Sequence, residues 1–175
     1  MTIAPWRTGE PARRANRRRT LAPHDLLEVA EGLARSAESW PGLDDPSDRC
    51  WRTIAATKRY EAWVVAWPVG GSIELHDHGD CSGAVVVASG RLVESSLRTG
   101  AHGRLEPVTL AVATGGHVVF GPGHVHDLVN EGPGPALSVH VYSPALRTMT
   151  YFDRRADHGL VAVRTEEYRE GVLVG

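Results

Sequence analysis

Ile73-Glu74-Leu75-His76-Asp77-His78-Gly79-Asp80 is the stretch on which the fold reading turns. Polarity alternates along the run, and on a strand every second side chain points to the same face. His76 and His78 therefore share a face and offer two imidazole nitrogens from one rigid element. A third nitrogen from elsewhere would complete a facial set for a borderline transition metal, with positions left open. Glycines punctuate the run on both sides: Gly70 before it, Gly83 and Gly90 after it, the last in a Ser89-Gly90 turn dipeptide.

Working outward, short apolar or alternating runs recur at close intervals: Ala62 to Val69, Ser72 to His78, Ala84 to Ala88, Arg91 to Leu97, Pro107 to Val112, His117 to Phe120, Val125 to Asn130, Ala136 to Tyr142, Thr148 to Phe152 and Leu160 to Val163. Gly/Pro-rich turns separate them. Regular short strands with such turns predict an antiparallel sandwich or barrel, and the lack of crossover helices excludes a parallel sheet. Before this body, Asp25 to Trp40 has helical spacing: Leu26, Leu27, Ala30, Leu33, Ala34 and Ala37 on one face, Glu28, Glu31, Arg35 and Glu38 on the other. Pro41-Gly42 is expected to end that helix, and Asp44 to Asp48 reads as a loop leading to Cys50-Trp51-Arg52. The expectation is an all-β body with a short helical preface.

The 175 residues suit a single domain, with a basic, disordered arm expected at 1–20 and one folded unit at 21–175. A net charge of -2 supplies no overall field for nucleic acid or an anionic membrane. Five arginines crowd into Arg13 to Arg19, but no aromatic residue is interleaved to stack bases, and the charged His24-Asp25 that follows argues against a twin-arginine export signal. Two cysteines, Cys50 and Cys81, are too few for a disulfide framework and fit a reducing compartment. A cytoplasmic monomer is expected.

A second histidine cluster lies between Gly116 and Asn130, where His124 and His126 alternate after a Gly121-Pro122-Gly123 turn. Either residue offers the missing nitrogen; His124 is expected on the surface. Farther on, Ser138, His140 and Tyr142 occupy alternate positions, with Leu137, Val139 and Val141 on the opposite face. A hydroxyl, an imidazole and a phenol on one inward face would form a hydrogen-bonded relay.

Gly70, His76-x-His78, Gly83 and Gly90 resemble the first cupin motif; Gly116, Pro122, His126 and Asn130 resemble the second. The resemblance implies a double-stranded β-helix, or jelly-roll, barrel. Gly83 stands where many cupins carry a glutamate ligand, which leaves the three histidines His76, His78 and His126. Together with Ser138-x-His140-x-Tyr142-Ser143-Pro144 and Phe152-Asp153, the pattern is similar to the cysteine dioxygenase family over about residues 45–160. That resemblance implies Fe(II) on the three histidines, a small-molecule thiol and O2 as substrates, and Tyr142, supported by His140 and Ser138, as the catalytic residue outside the metal shell. It also implies Arg52 as the group that grips the substrate carboxylate, for which a planar guanidinium is suited.

The implied activity is oxidation of L-cysteine to cysteine sulfinic acid. A 3-mercaptopropionate or other small-thiol dioxygenase is the nearest rival, and a non-oxidative metal-binding cupin acting as a sensor or isomerase is the rival of another class. A scaffold working through the arginine arm is a third. Animal members of the family carry a cysteine at the position of Gly83 that crosslinks to the tyrosine, so Tyr142 is expected to be unmodified here. Cys50 replaces a tyrosine that lies near the substrate in some relatives. Glu74, sharing strand parity with His76 and His78, is weighed as a fourth ligand and expected in a solvated or supporting role; Asp77 is expected to be structural.

Overall fold

The computed structural model describes residues 20–36, 40–100, 105–155 and 159–174. Apart from Thr20, the basic arm expected at 1–20 lies outside the described residues. Helix α1 (Pro23–Ala34) is followed by β1 (Cys50–Ala56), β2 (Glu61–Trp67), β3 (Ser72–His76), β4 (Ser82–Ser89), β5 (Arg91–Thr99) and β6 (Leu105–Ala113). Then come β7 (His117–Phe120), β8 (His126–Val129), β9 (Ala136–Ser143), β10 (Thr148–Arg154), β11 (Leu160–Arg169) and β12 (Val172–Leu173).

From β2 to β10 every connection except β5–β6 crosses between sheets, which produces two facing antiparallel sheets of order β1-β2-β9-β4-β7 and β12-β11-β10-β3-β8-β5-β6. This is the all-β cupin barrel expected, with its helical preface. The continuous apolar run of β2 has a physical reason: both faces of the five-stranded sheet are covered, so β2 and β9 are buried along their whole lengths. Inward, Trp63, Val65 and Trp67 meet residues of the other sheet such as Ile73, Leu92 and Leu128. Outward, Ala62, Ala84, Val86, Val139 and Val141 pack under Leu26 and Ala30 of α1.

Pro23 opens α1, and Asp25 accepts a hydrogen bond from the Ala22 N–H at 3.3 Å, which satisfies a donor at the helix start. The helix stops at Ala34, short of the Trp40 boundary expected. Cys50-Trp51-Arg52, where the expected loop leads, opens edge strand β1, a strand absent from the expected runs, and β11 runs past the expected Val163 to Arg169. Asn130 closes the turn regions at one end of the barrel. Its side-chain NH2 lies 3.1, 3.0 and 3.0 Å from the Trp67, Pro68 and Gly134 carbonyls, and its Oδ1 accepts from Gly132 at 2.9 Å.

Candidate active site

His76 ends β3, His78 follows it, and His126 opens β8, which pairs with β3 so that His76 and His126 are cross-strand neighbours. All three are buried, and one ligand nitrogen from each lies within 4.8 Å of the others. The tautomers of two follow from their partners. A carbonyl can only accept, so the 2.7 Å contact between His76 Nδ1 and the Glu74 carbonyl places the proton on Nδ1 and leaves a lone pair on Nε2. Likewise His126 Nδ1 donates to Glu94 Oε1 at 2.7 Å, and its Nε2 is buried without a hydrogen-bond partner among the described residues.

His76 Nε2 faces His78 Nε2 at 3.2 Å. Burial pulls the pKa values of His76 and His78 well below the ordinary imidazole range, and the neighbouring histidines push further in that direction. His126 is also lowered, mainly by burial, against the opposing pull of Glu94. Neutral imidazoles whose lone pairs converge, one of them orphaned in the interior, are the donor set a divalent transition metal takes.

Glu94 was not singled out from the sequence. It lies on β5 with the inward parity of Leu92, and a charged residue at such a position was the signal that could have found it. Its Oε1 also accepts from His124 Nε2 at 3.1 Å. Burial raises the Glu94 pKa, but the two imidazole hydrogen bonds outweigh it and hold the carboxyl down at about 2. His124, expected on the surface, is instead half-buried: it bonds to Glu94 and stacks on Phe120, with ring centroids 5.1 Å apart.

Phe120 accounts for Gly83. A Cβ at Gly83 would collide with the end of the Phe120 ring, and that ring stacks on His78 at 4.8 Å. A phenyl group thus fills the space beside the histidines into which a side chain at position 83 would project. Gly83 pairs with Tyr142 across the sheet, so no thiol approaches the phenol from that position. Cys81 lies just before β4; its thiol points to the Pro144 carbonyl at 3.3 Å, and burial, followed by the charges of Asp80 and Glu61, pushes its pKa up to about 12.

Ser138, His140 and Tyr142 face inward on β9 and form a chain whose polarity can be worked out. Trp67 Nε1 can only donate, and it does so to Ser138 Oγ at 2.8 Å. Fully buried Ser138 must then place its own proton on His140 Nε2, 2.8 Å away, its other partner among the described residues. His140 keeps its proton on Nδ1 and donates to the Tyr142 oxygen at 3.2 Å. Tyr142 is therefore left with a free O–H to donate. Burial lowers the His140 pKa to about 3 and raises that of Tyr142, so the relay stays neutral across the ordinary pH range.

His76, His140 and Tyr142 line a narrow, mostly apolar cavity together with Arg49, Trp51, Trp63 and Tyr168. Arg52 is outside it. It is exposed, with Nη2 3.5 Å from the Pro41 carbonyl, because it pairs with outward-facing Val64 whereas Trp51 pairs with inward-facing Val65. Arg49 has the inward parity instead. Its guanidinium lies 5.6 Å from the Trp51 ring centroid and 5.8 Å from that of Trp67, with no carboxylate partner among the described residues. Cys50 likewise packs on the outer face, against Val64 and Ala66, away from the cavity.

Glu74 does not share the face of His76. A register irregularity between Ile73 and His76 turns Ile73 and His76 inward together and leaves Glu74 exposed, where it pairs with Arg164 at 2.9 Å. Asp77 is structural: its Oδ1 accepts from the Gly79 N–H at 3.1 Å.

The family model for cysteine dioxygenase type I matches residues 25–155. The chain belongs to that family. Membership extends over α1 and all strands through β10 and includes the three histidines, Glu94, Arg49 and the Ser138–His140–Tyr142 relay. Among solved structures, a conserved protein with a double-stranded β-helix domain from Klebsiella pneumoniae is similar at 20% identity over 69% of this chain and 88% of that one, with a TM-score of 0.45. A structure of oxalate oxidase in complex with glycolate is 19% identical over 58% of this chain and 53% of that one, with a TM-score of 0.49. TT1209 from Thermus thermophilus is 23% identical over 58% of this chain and 88% of that one, with a TM-score of 0.44. No helix among the described residues is long and apolar enough to cross a membrane.

Proposed function

We propose that the protein is an Fe(II)-dependent thiol dioxygenase that converts L-cysteine and O2 to cysteine sulfinic acid, both oxygen atoms ending on sulfur. The observation that carries this reading is the meeting of three unlike groups around one mostly apolar cavity: His76 of the histidine cluster, the Tyr142 hydroxyl and the Arg49 guanidinium, which has no carboxylate partner among the described residues.

His76, His78 and His126 would hold the iron, which when bound brings a thiolate and O2 together at open positions. Arg49 takes the part first expected of Arg52 and receives the substrate carboxylate through its planar fork, a charge-assisted pairing that is strong where water is excluded. The indoles of Trp51 and Trp67 beside it hold the guanidinium in place without neutralising it. Tyr142 presents its hydroxyl proton to an oxygen passing to sulfur. Ser138 and His140 act through it: their hydrogen bonds aim the phenol, and the low His140 pKa keeps the relay from taking up a proton of its own.

The test is O2 uptake by anaerobically Fe(II)-loaded protein with L-cysteine and, separately, with 3-mercaptopropionate, the products being weighed by mass spectrometry. A gain of two oxygens on cysteine is expected, with Tyr142→Phe losing turnover while retaining iron. Preference for 3-mercaptopropionate would replace the substrate, and the absence of uptake with either thiol from iron-containing protein would overturn the dioxygenase reading in favour of a non-oxidative metal cupin.

A further inference from the structure

The family match ends at residue 155, yet one wall of the cavity comes from beyond it. Strand β11 is solvent-exposed along nearly its whole length, and Tyr168 is its one buried side chain. On a strand otherwise exposed, the single buried aromatic residue is the one that reaches the core and the cavity. The ring of Tyr168 meets that of Trp63 at 5.3 Å between centroids, and both line the cavity with Arg49 and Tyr142.

Several independent ties hold the ring there. The Tyr168 hydroxyl donates to Glu166 Oε2 at 2.7 Å, and the same oxygen accepts from Tyr151 at 3.0 Å. The Tyr168 N–H donates to the Arg147 carbonyl at 2.8 Å. The turn that follows is seated against β1 and β2: Trp51 Nε1 donates to the Gly171 carbonyl at 3.1 Å. A side chain at Gly171, whose φ is +75°, would run into Thr53, Glu61 and Trp63. The turn therefore sits hard on the barrel and fixes the depth to which Tyr168 reaches.

We infer that Tyr168 is a specificity-determining residue, the wall that limits the bulk of thiol the cavity accepts. This rests on the thiol dioxygenase reading. A ligand with its carboxylate at Arg49 and its sulfur at the histidines would lie in the cavity whose wall the contacting Trp63 and Tyr168 rings form, so short, unbranched mercaptocarboxylates fit. Methyl groups beside the sulfur, or an acylated amine, meet the phenol ring. Apolar walls of this kind discriminate by roughly 10- to 200-fold per methylene-sized group.

The experiment compares L-cysteine with penicillamine, which carries two methyl groups beside the sulfur, and with N-acetylcysteine, in the parent protein, Tyr168→Ala and Tyr168→Phe. Two readouts are taken: O2 uptake by Fe(II)-loaded protein, and anaerobic thiol binding to Co(II)-loaded protein followed by its thiolate-to-cobalt absorption. In the parent, cysteine is preferred. In Tyr168→Ala the penicillamine-to-cysteine ratio of affinities rises at least about tenfold, and Tyr168→Phe, which keeps the wall and loses only the Glu166 bond, restores discrimination. Ratios unchanged within twofold in a folded, metal-loaded Tyr168→Ala protein overturn the inference, as does failure of any thiol to bind the parent. Should Tyr168→Ala fail to fold, Tyr168→Leu provides the same comparison with a smaller volume change. Size-selective cobalt binding without O2 uptake would keep the wall and discard the dioxygenase.

Discussion

Glu94→Gln isolates one charge behind the histidine cluster. In the parent, a single carboxylate oxygen accepts from both His126 Nδ1, at 2.7 Å, and His124 Nε2, at 3.1 Å. The amide keeps the shape and one acceptor oxygen but removes the negative charge, so two charge-assisted hydrogen bonds become neutral ones of about half the strength. His126 Nε2 then becomes a poorer donor to a metal. Outer partners of metal-bound histidines are worth about 10- to 100-fold in metal affinity, or roughly 1.4–2.7 kcal/mol. The expected outcome is a Kd for Co(II) or Fe(II), measured anaerobically against a competing chelator, that rises by this factor while the far-ultraviolet spectrum is unchanged. Glu94→Ala should cost more, because it also leaves two imidazole N–H groups without an acceptor in a buried space. A Glu94→Gln protein that binds metal within twofold of the parent would refute the assignment of His126 as a ligand supported by Glu94.

Arg49→Ala should lower kcat/KM for cysteine by about 10- to 150-fold, the worth of a hydrogen bond to a charged group at ~1.5–3 kcal/mol, and cysteamine, which lacks the carboxylate, should be unaffected by the change. Arg52→Ala should leave kcat/KM within twofold; steady-state kinetics on the pair decides which arginine meets the substrate. Gly83→Ala drives a methyl group into Phe120 and should destabilise the protein by roughly 1–3 kcal/mol in urea denaturation. In metal-free protein, acid should weaken the fold through His140, whose folded pKa of about 3 lies below the ordinary value of 6.5. The folded state then binds fewer protons than the unfolded chain, so stability present above 6.5 is lost as pH falls from 6.5 toward 3, at up to about 1.4 kcal/mol per pH unit from this group. His140→Asn should flatten the pH dependence of the urea midpoint, and an unchanged slope would count against a neutral, buried His140.

What the sequence disclosed and what it concealed follow from how each side chain is positioned. Ser138, His140 and Tyr142 were legible because β9 keeps a strict two-residue period between two flanking strands, and its neighbours Leu137, Val139 and Val141 mark the other face. Glu74 was misplaced because an irregularity in β3 breaks that period just before His76, and no composition signal announces it. The face of Arg52 was misread for a related reason. Arg49 and Arg52 differ by three residues and hence in parity, and only the pairing of β1 with β2 decides which of them faces inward. Glu94 and Tyr168 act through contacts made across the barrel from strands distant in sequence, so the chemistry they serve is written nowhere near them.

The exchange of a carboxylate for a phenyl ring at the cluster has an electrostatic consequence. Three neutral imidazoles would give a divalent metal no anionic ligand inside a site walled by Phe120, Leu128 and Met149, the carboxylate of Glu94 lying behind His126. An anionic thiolate relieves the metal's charge, and a neutral ligand relieves it less. On the proposed reading the substrate's second negative group would be received separately by Arg49, whose own charge has no carboxylate partner among the described residues. Gly83 and Phe120 thus favour ligands with two negative charges held a fixed distance apart, which matches a mercaptocarboxylate with its thiol deprotonated. A glutamate at position 83 would remove both the room and the electrostatic demand. On this argument the glycine, though it touches no substrate, is as much a part of the selectivity for thiols as the histidines are.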